Sequence, residues 1–191
     1  LKLTIKGDTV IADFSESAPQ VRGSLNCSLS FTKASAFTAI KCFCKSEFPA
    51  NSGFFRPIEV IAPEGTVLNV AFPGATFMRG LTGYRLNNVL FGALAQAMPE
   101  RAIAADEGGT TIVTMDGYDE NDERFLYMET ISGTWGARAE IDGIDCASNV
   151  TGLQSNTPVE VLETEYPIEI MQYGFVSDSG GIGRTRGGLG L

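Results

Sequence analysis

The segment Thr82-Gly83-Tyr84-Arg85-Leu86-Asn87-Asn88-Val89-Leu90-Phe91-Gly92-Ala93-Leu94-Ala95-Gln96-Ala97-Met98 decides the fold, and Pro99 follows it. Its apolar residues recur at spacings of three and four, which is the pattern of an amphipathic helix with one buried face. The predicted stripe comprises Leu86, Val89, Leu90, Ala93, Leu94 and Ala97. Because proline does not continue a helix, we expect the helix to end near Met98 and the stripe to lie in the core.

A second amphipathic helix is predicted earlier in the chain, from about Thr32 to Cys44 and ending before Pro49. Its apolar positions again have three- and four-residue spacing. They are Ala36, Phe37, Ile40, Phe43 and Cys44.

Strand patterns fill most of the remaining chain. Leu1–Ile5 and Val10–Phe14 flank a Lys-Gly-Asp turn, which predicts a hairpin, and Arg56–Asn69 is typical of a strand, a Pro-x-Gly turn and a second strand. Later strands are predicted at Thr110–Met115, Arg124–Ile131, Val159–Glu163 and Ile168–Tyr173. Because strands outnumber helices without alternating regularly with them, we predict an α+β fold. It would have a mixed, mainly antiparallel β-sheet and two main amphipathic helices, in a single domain over residues 1–191.

Composition excludes several classes of partner. The net charge of −9 argues against nucleic acid, whose phosphates require a positive face, and against an acidic membrane surface. The sequence has no run of 18 or more apolar residues, so no transmembrane helix is expected. The four cysteines, Cys27, Cys42, Cys44 and Cys146, are too few and too irregular for a disulfide framework. Reduced thiols and a cytoplasmic location are expected.

The sequence contains no histidine. This removes the commonest general base near neutral pH, the commonest metal ligand and every nucleophile-histidine pair built within this chain. Any catalysis must therefore use carboxylates, arginines, hydroxyls or cysteines, or histidines that lie outside this chain. No catalytic residue is assigned, and no metal site is predicted within the chain.

The glycine-rich run Asp178-Ser179-Gly180-Gly181-Ile182-Gly183-Arg184-Thr185-Arg186-Gly187-Gly188-Leu189-Gly190-Leu191 ends the sequence. Glycine reaches positive φ at low cost, so the run predicts consecutive tight turns that let backbone approach backbone closely. Its recurring apolar residues favour ordered turns over a flexible tail. No phosphate-binding loop pattern is present, so nucleotide binding is not predicted here.

Other polar patches allow a structural and a functional interpretation. Arg56 and Glu59 flank a proline and form either a structural ion pair or a substrate clamp. Asn156 lies before a proline and either caps a loop or orients a ligand, and Trp135 is either a core residue or a ligand platform. The acidic stretch Asp116–Glu123 is interpreted as a solvated hairpin tip, because it lacks the spacing of a calcium loop.

Five blocks, taken in order, cover essentially the whole chain and resemble the hydantoinase B/oxoprolinase family. They are Pro19–Asn26, Asn51–Gly65, Gly92–Pro99, Asn156–Glu163 and the terminal run that begins Asp178-Ser179-Gly180-Gly181. The resemblance implies the B-type part of an ATP-dependent enzyme that hydrolyses cyclic amides such as hydantoins and 5-oxoproline, or that carboxylates ketones such as acetone or acetophenone.

The resemblance also implies partners. ATP would be bound by a hydantoinase A-type subunit, and a divalent metal would be held by residues outside this chain. The chain begins at Leu1 within a strand pattern, and we expect it to be the C-terminal portion of a longer subunit whose N-terminal portion carries the family's histidine- and aspartate-rich motifs. The isolated chain is expected to be inactive.

The chain also departs from the family pattern. Histidines often found before the Asn-Thr-Pro block are replaced by Asp145-Cys146-Ala147-Ser148-Asn149, and the segment after the long helix is glycine-rich here. These departures leave two possibilities open. Either the substrate differs from that of the family, or this portion has little catalytic role of its own. A non-catalytic scaffold that docks a partner is the alternative function.

Candidate substrate-binding residues follow from side-chain chemistry. Arginines fork onto carboxylate, bicarbonate or phosphorylated groups, amides orient polar ligands, and carboxylates orient those groups or act as bases when buried. The candidates are Arg22, Asn26, Asn51, Arg56, Glu59, Asn156, Glu160, Asp178, Arg184 and Arg186.

Overall fold

The structure, a computed structural model, describes residues 1–44, 48–152 and 154–191. It divides into two compact units, Leu1–Gly108 and Gly109–Leu191. Each unit contains helix and strand, which confirms the predicted α+β class. The assignment of all 191 residues to a single domain stays a prediction.

Unit 1 is built on a three-stranded sheet. Strands β1 (Lys2–Lys6) and β2 (Thr9–Asp13) form the predicted antiparallel hairpin, in which Gly7 takes φ +61° at the turn. Strand β3 (Ile58–Ile61) pairs with β2 in parallel. A parallel partner requires a crossover connection, and this one carries helices α1 (Leu29–Phe43) and α2 (Ser52–Phe55).

Helix α3 (Arg79–Ala97) packs against α1 and is followed by a 3₁₀ turn at Pro99–Arg101. Gly83 makes the close approach possible, since a Cβ at this position would lie 2.3 Å from the ring of Phe31 on α1. Phe43 and Phe91 meet across the same interface with ring centroids 5.9 Å apart. Both helices were predicted, and each begins three residues earlier than its sequence pattern indicated.

The buried face of α3 is rotated from the predicted stripe. Leu86, Leu90 and Leu94 are buried as predicted, but Val89 is 50% exposed and Ala97 is exposed. The other buried positions of the helix are Gly83, Asn87 and Phe91. The prediction at Val89 and Ala97 was wrong because a helix that packs on one neighbour buries a narrower stripe than all its apolar residues define.

Unit 2 is built around the antiparallel pair β4 (Thr111–Tyr118) and β5 (Arg124–Ile131). The acidic tip is a closed turn, in which the Asp119 carboxylate accepts hydrogen bonds from the backbone N–H groups of Asn121 and Glu123, both at 2.8 Å. Its interpretation as a hairpin tip is therefore confirmed.

Three predicted strands are absent from the described residues. Val159–Glu163 lies instead in helix α4 (Val159–Glu165). Pro158 precedes the helix with its φ fixed by the proline ring, and Leu162 is the buried side chain of the helix. Ile168–Tyr173 and the second strand of Arg56–Asn69 have no ladder; the latter region has only isolated bridges at Thr66. Alternating apolar residues do not make a strand where no neighbouring strand accepts their hydrogen bonds.

Candidate functional site

A buried polar cluster in unit 2 surrounds the Asn156-Thr157-Pro158 block. Glu129 projects from β5 and is 8% exposed. Its carboxylate accepts hydrogen bonds from the hydroxyl of Tyr127 and from the backbone N–H of Thr157. The block is thereby fixed against β5.

Hydrogen bonding sets the protonation states in this cluster. Burial alone would raise the pKa of Glu129, but the hydrogen bonds from Tyr127 and Thr157 prevail and lower it below its ordinary value. Burial, followed by the hydrogen bond to Glu129, raises the pKa of Tyr127 well above its ordinary value. Glu129 is therefore a carboxylate and Tyr127 a phenol near neutral pH, so the pair serves as an anchor.

Asn156 forms the second half of the cluster. Its Oδ1 accepts from the backbone N–H of Ser132 at 2.9 Å, and its Nδ2 lies 3.6 Å from the Sγ of Cys146. Cys146 takes φ +41°, and its thiol also lies 3.9 Å from the Ser132 carbonyl oxygen. The amide of Asn156 thus joins the end of β5 to the 145–149 segment, which favours the loop-capping interpretation of this residue.

The glycine-rich run is ordered against the segment from Trp135 to Cys146. Backbone hydrogen bonds join Gly188 N–H to the Trp135 carbonyl, Gly143 N–H to the Arg186 carbonyl and Cys146 N–H to the Leu189 carbonyl. Trp135 is half-buried, and its indole N–H donates to the Ser148 carbonyl. The prediction of ordered structure was right.

The reason for the glycines differs from the one predicted. None of the run's glycines takes a positive φ; Asp178 does, at +59°. A Cβ at Gly188 would lie 2.0 Å from the Ile144 carbonyl oxygen, and one at Gly180 would lie 2.4 Å from the Gly187 carbonyl oxygen. Glycine is required at these two positions because any side chain would collide with the neighbouring backbone.

Both arginines of the run have acidic partners. Arg186 pairs with Asp145 at 3.2 Å, and the exposed Arg184 pairs with Glu140 at 2.7 Å. The backbone N–H of Leu189, followed by the guanidinium of Arg186, lowers the pKa of Asp145. The Arg186–Asp145 pair holds the run against the 145–149 segment, and Asp178 lies exposed at its start.

In unit 1, Asn26 is fully buried and wholly engaged. Its Nδ2 donates to the carbonyls of Val21, Gly23 and Ala75 at 2.9 to 3.0 Å, and its Oδ1 accepts from the Val21 N–H at 2.8 Å. Asn26 therefore organises the 19–26 loop rather than a ligand, while Arg22 in that loop is exposed.

Asn51 lies at the start of α2, beside the exposed Arg56 that ends it. Its Oδ1 accepts from the N–H groups of Gly53 and Phe54, at 3.0 and 3.2 Å. Glu59 is exposed on β3, and among the described residues it forms no ion pair with Arg56. The structural Arg56–Glu59 ion pair is thus not formed, and the substrate clamp stays a prediction.

A cavity of about 450 Å³ opens beside Asn51. Among the described residues, its walls come from β2, β3, α1, α2, the turn between β1 and β2, and Cys44, Phe48 and Pro49, and they are mostly apolar. Asn51 and Asp8 supply the side-chain amide and carboxylate groups of its lining. A pocket of this size with few polar groups is typical of small-molecule sites.

The remaining candidates do not join one site. Glu160 is exposed on α4, Glu129 binds Thr157 next to Asn156 in unit 2, and Asn51 lines one cavity with Asp8 in unit 1. Sequence analysis missed Glu129, Asp145 and Asp8 as site residues. For Glu129 the available signal was its place on the apolar face of an alternating strand, where a carboxylate requires partners.

Within the described ranges, no three or more Cys, Asp or Glu residues are grouped so that they could hold a metal ion. The divalent metal that the resemblance implies therefore does not fit these residues. In the same ranges, no helix is long and apolar enough to cross a membrane.

Comparison with known proteins agrees with this architecture. The family model described as hydantoinase B/oxoprolinase matches residues 1–191, and the chain belongs to this family. An uncharacterized protein of Methanocaldococcus jannaschii is 37% identical over 192 residues, covering 100% of this chain and 33% of that protein. The 5-oxoprolinase of Dictyostelium discoideum is 31% identical over 194 residues, covering 100% of this chain and 14% of that enzyme.

The fold is also found in a solved structure. The crystal structure of ATP-dependent caprolactamase from Pseudomonas jessenii matches with a TM-score of 0.83 at 28% identity, over 98% of this chain and 33% of that one. The chain thus spans one third or less of the length of these relatives.

Proposed function

We infer that this chain is part of the B-type subunit of an ATP-dependent enzyme that hydrolyses a cyclic amide. The likeness to ATP-dependent caprolactamase over 98% of the chain carries the inference. The 5-oxoprolinase relative supports it, since 5-oxoproline is also a lactam. Acetone carboxylase also matches, with a TM-score of 0.74, but at 22% identity this shows a shared fold alone, so hydrolysis is preferred to carboxylation.

The chemistry of the residues suggests a division of labour. The chain has no histidine, the commonest general base near neutral pH, and its described residues include no group of three or more Cys, Asp or Glu that could hold a metal ion. ATP is assigned to a hydantoinase A-type partner subunit, and the divalent metal to an N-terminal portion of the same subunit. The isolated chain is inactive in this scheme, and the complex is cytoplasmic.

A chimera tests the proposal. The third of caprolactamase subunit beta that matches this chain is replaced by residues 1–191, and the chimera is combined with the remaining caprolactamase protein. ATP-dependent ring opening of caprolactam, 5-oxoproline and hydantoin is measured, together with carboxylation of acetone. We expect lactam hydrolysis at a measurable fraction of the parental rate, and none from residues 1–191 alone.

Assembly of the chimera is checked by size-exclusion chromatography. A chimera that assembles but opens none of the three rings favours the scaffold alternative, and carboxylation of acetone favours the carboxylase. If the chimera does not assemble, the same exchange into the 5-oxoprolinase of Dictyostelium discoideum provides a second host.

A further inference from the structure

The hairpin β4–β5 is covered on one of its two faces. Residues that pair across an antiparallel ribbon lie on the same face, and the faces alternate along each strand. Tyr127 and Glu129 of β5 are buried, and their partners Met115 and Val113 on β4 are half-buried. The core side of the hairpin is therefore the face that carries these four residues.

The other face, here the open face, is apolar at half of its positions. It consists of Ile112, Thr114, Asp116 and Tyr118 of β4, which pair with Thr130, Met128, Leu126 and Arg124 of β5. Ile112 is 40% exposed, and Tyr118, Leu126 and Met128 are 61% to 69% exposed. The two charged side chains neutralise each other, because Arg124 donates to Asp116 at 2.7 and 3.0 Å. An apolar face without net charge is typical of a surface that other polypeptide covers.

The outer edge of β4 is available for pairing. In an antiparallel pair, every second residue directs its backbone N–H and C=O groups away from the partner strand. Within the described part of unit 2, no backbone other than that of β5 is hydrogen-bonded to β4. The outer edge of β5, by contrast, is partly covered by the side chains of the 154–156 segment. Strand β4 thus presents a row of donors and acceptors to one more strand.

This edge lacks the features that keep exposed strands from pairing. Natural edge strands carry lysine, proline or a bulge. In the sheet of unit 1, edge strand β1 has Lys2 and Lys6. Edge strand β3 lies between Pro57 and Pro63. Strand β4 has eight residues, none of them lysine or proline, and pairs with β5 without a bulge. Such a strand is suited to the interior of a sheet.

We propose that β4 pairs along its outer edge with an extended segment of the same B-type subunit from outside residues 1–191, and that polypeptide adjoining this segment packs on the open face. The proposal rests on the proposed function, in which this chain is part of a longer subunit. The chain spans one third or less of the length of its relatives, so most of each relative's polypeptide lies outside the matched part. An added strand also makes a stable sheet of a hairpin that is marginal by itself.

A permanent partner fits this surface better than a transient one. A long apolar edge that is left open pairs with other copies and aggregates. A segment of the same subunit is present whenever this chain is, and its tether gives it a high effective concentration at the edge. The segment should itself be apolar and nearly uncharged, since the open face has no net charge to match.

Hydrogen exchange followed by mass spectrometry tests the proposal on peptides from β4. The assembled caprolactamase chimera is compared with residues 1–191 alone. In residues 1–191 alone, about half of the β4 amides should exchange as rapidly as exposed amides do. In the chimera, these amides should be protected about a hundredfold or more, because they are bonded to the added strand.

Leu126→Lys tests the open face. The lysine is solvated in residues 1–191 alone, so their melting temperature should stay the same, but it would be buried in the chimera, so the added protection of β4 should fall about tenfold or more. Asn121→Lys is the matched control. It adds the same charge to the exposed tip of the same hairpin and should leave the protection of β4 unchanged.

Equal exchange of the β4 amides in the assembled chimera and in residues 1–191 alone would overturn the proposal, as would equal effects of the two lysine variants. Protection that is already present in residues 1–191 alone and is lost on dilution would identify a second copy as the partner instead. The surface and the proposed function can fail separately. A chimera with protected β4 that opens no ring would leave the surface standing and the function wrong. A hydrolytic chimera with rapidly exchanging β4 would leave the function standing and the surface wrong.

Discussion

Asp145 and Arg186 form an ion pair at 3.2 Å, which joins the glycine-rich run to the 145–149 segment. Asn156 joins that same segment to the end of β5. The same Asp145 oxygen accepts from the backbone N–H of Leu189 at 2.6 Å. One carboxylate thus holds both a side chain and the backbone of the glycine-rich run.

The first prediction concerns this anchor. Asp145→Asn weakens the bonds to Arg186 and Leu189, so the Leu189 amide should exchange with deuterium about tenfold faster or more, as measured by NMR. Glu140→Gln is the control. It breaks the Arg184 pair, whose side chains are 75% and 81% exposed, and should leave the Leu189 exchange rate unchanged. Equal acceleration by both variants would contradict the anchoring role of Asp145.

The second prediction concerns close backbone packing. Gly188→Ala places a methyl group where the Ile144 carbonyl oxygen lies, and should lower the free energy of unfolding by about 1–3 kcal/mol in urea titrations. Gly181→Ala serves as the matched control, because a Cβ there meets nothing within 4 Å, and should change it by less than about 0.5 kcal/mol. A tolerated alanine at Gly188 would show that the run is not packed as described.

The third prediction concerns pH. The hydrogen bonds that lower the pKa of Glu129 favour its ionised form in the fold, so this stabilisation is present above the ordinary value of 4.5 and is lost as pH falls through the lower folded value. Glu129→Gln should therefore cost about 2 kcal/mol of unfolding free energy at pH 7 and less at pH 3. Urea titrations at both pH values measure this.

Glu160→Gln, on the exposed surface of α4, is the control for that series and should leave the pH dependence as it is in the wild type. A loss for Glu129→Gln that is the same at pH 7 and pH 3 would show that the carboxylate is not stabilised in its charged form.

The fourth prediction concerns the buried amide of Asn26. Asn26→Ala removes four hydrogen bonds and leaves three carbonyls and one N–H without that partner, and should destabilise the chain by about 2–4 kcal/mol. Thermal unfolding followed by circular dichroism measures it. Asn121→Ala, in the exposed hairpin tip, should shift the melting temperature little, and comparable losses at the two positions would contradict the organising role of Asn26.

The sequence predicted helices α1 and α3 and the two hairpins because their patterns are local. Spacing of three and four residues identified α1 and α3, and turn residues identified the β1–β2 hairpin and the acidic tip. The parallel pairing of β2 with β3 was not predicted, since it joins segments separated by two helices. The prediction of a strand at Val159–Glu163 was wrong because its alternating pattern fits a short helix as well as a strand.

The site was harder to predict from sequence. Asn51 and Asp8 are exposed residues that line one cavity although 43 positions separate them in sequence, and no local motif connects them. Conversely, Asn26, Arg184 and Arg186 were chosen for chemistry that is consumed by internal hydrogen bonds and ion pairs. Side-chain type predicts what a group can do, whereas its partners in the fold determine whether it is available.

The most direct test of the account measures ATP-dependent ring opening of caprolactam by the assembled caprolactamase chimera and by residues 1–191 alone. The account predicts hydrolysis by the chimera and none by residues 1–191 alone in the presence of ATP and divalent metal. Ring opening by this chain alone, or an assembled chimera that opens no ring, would contradict it.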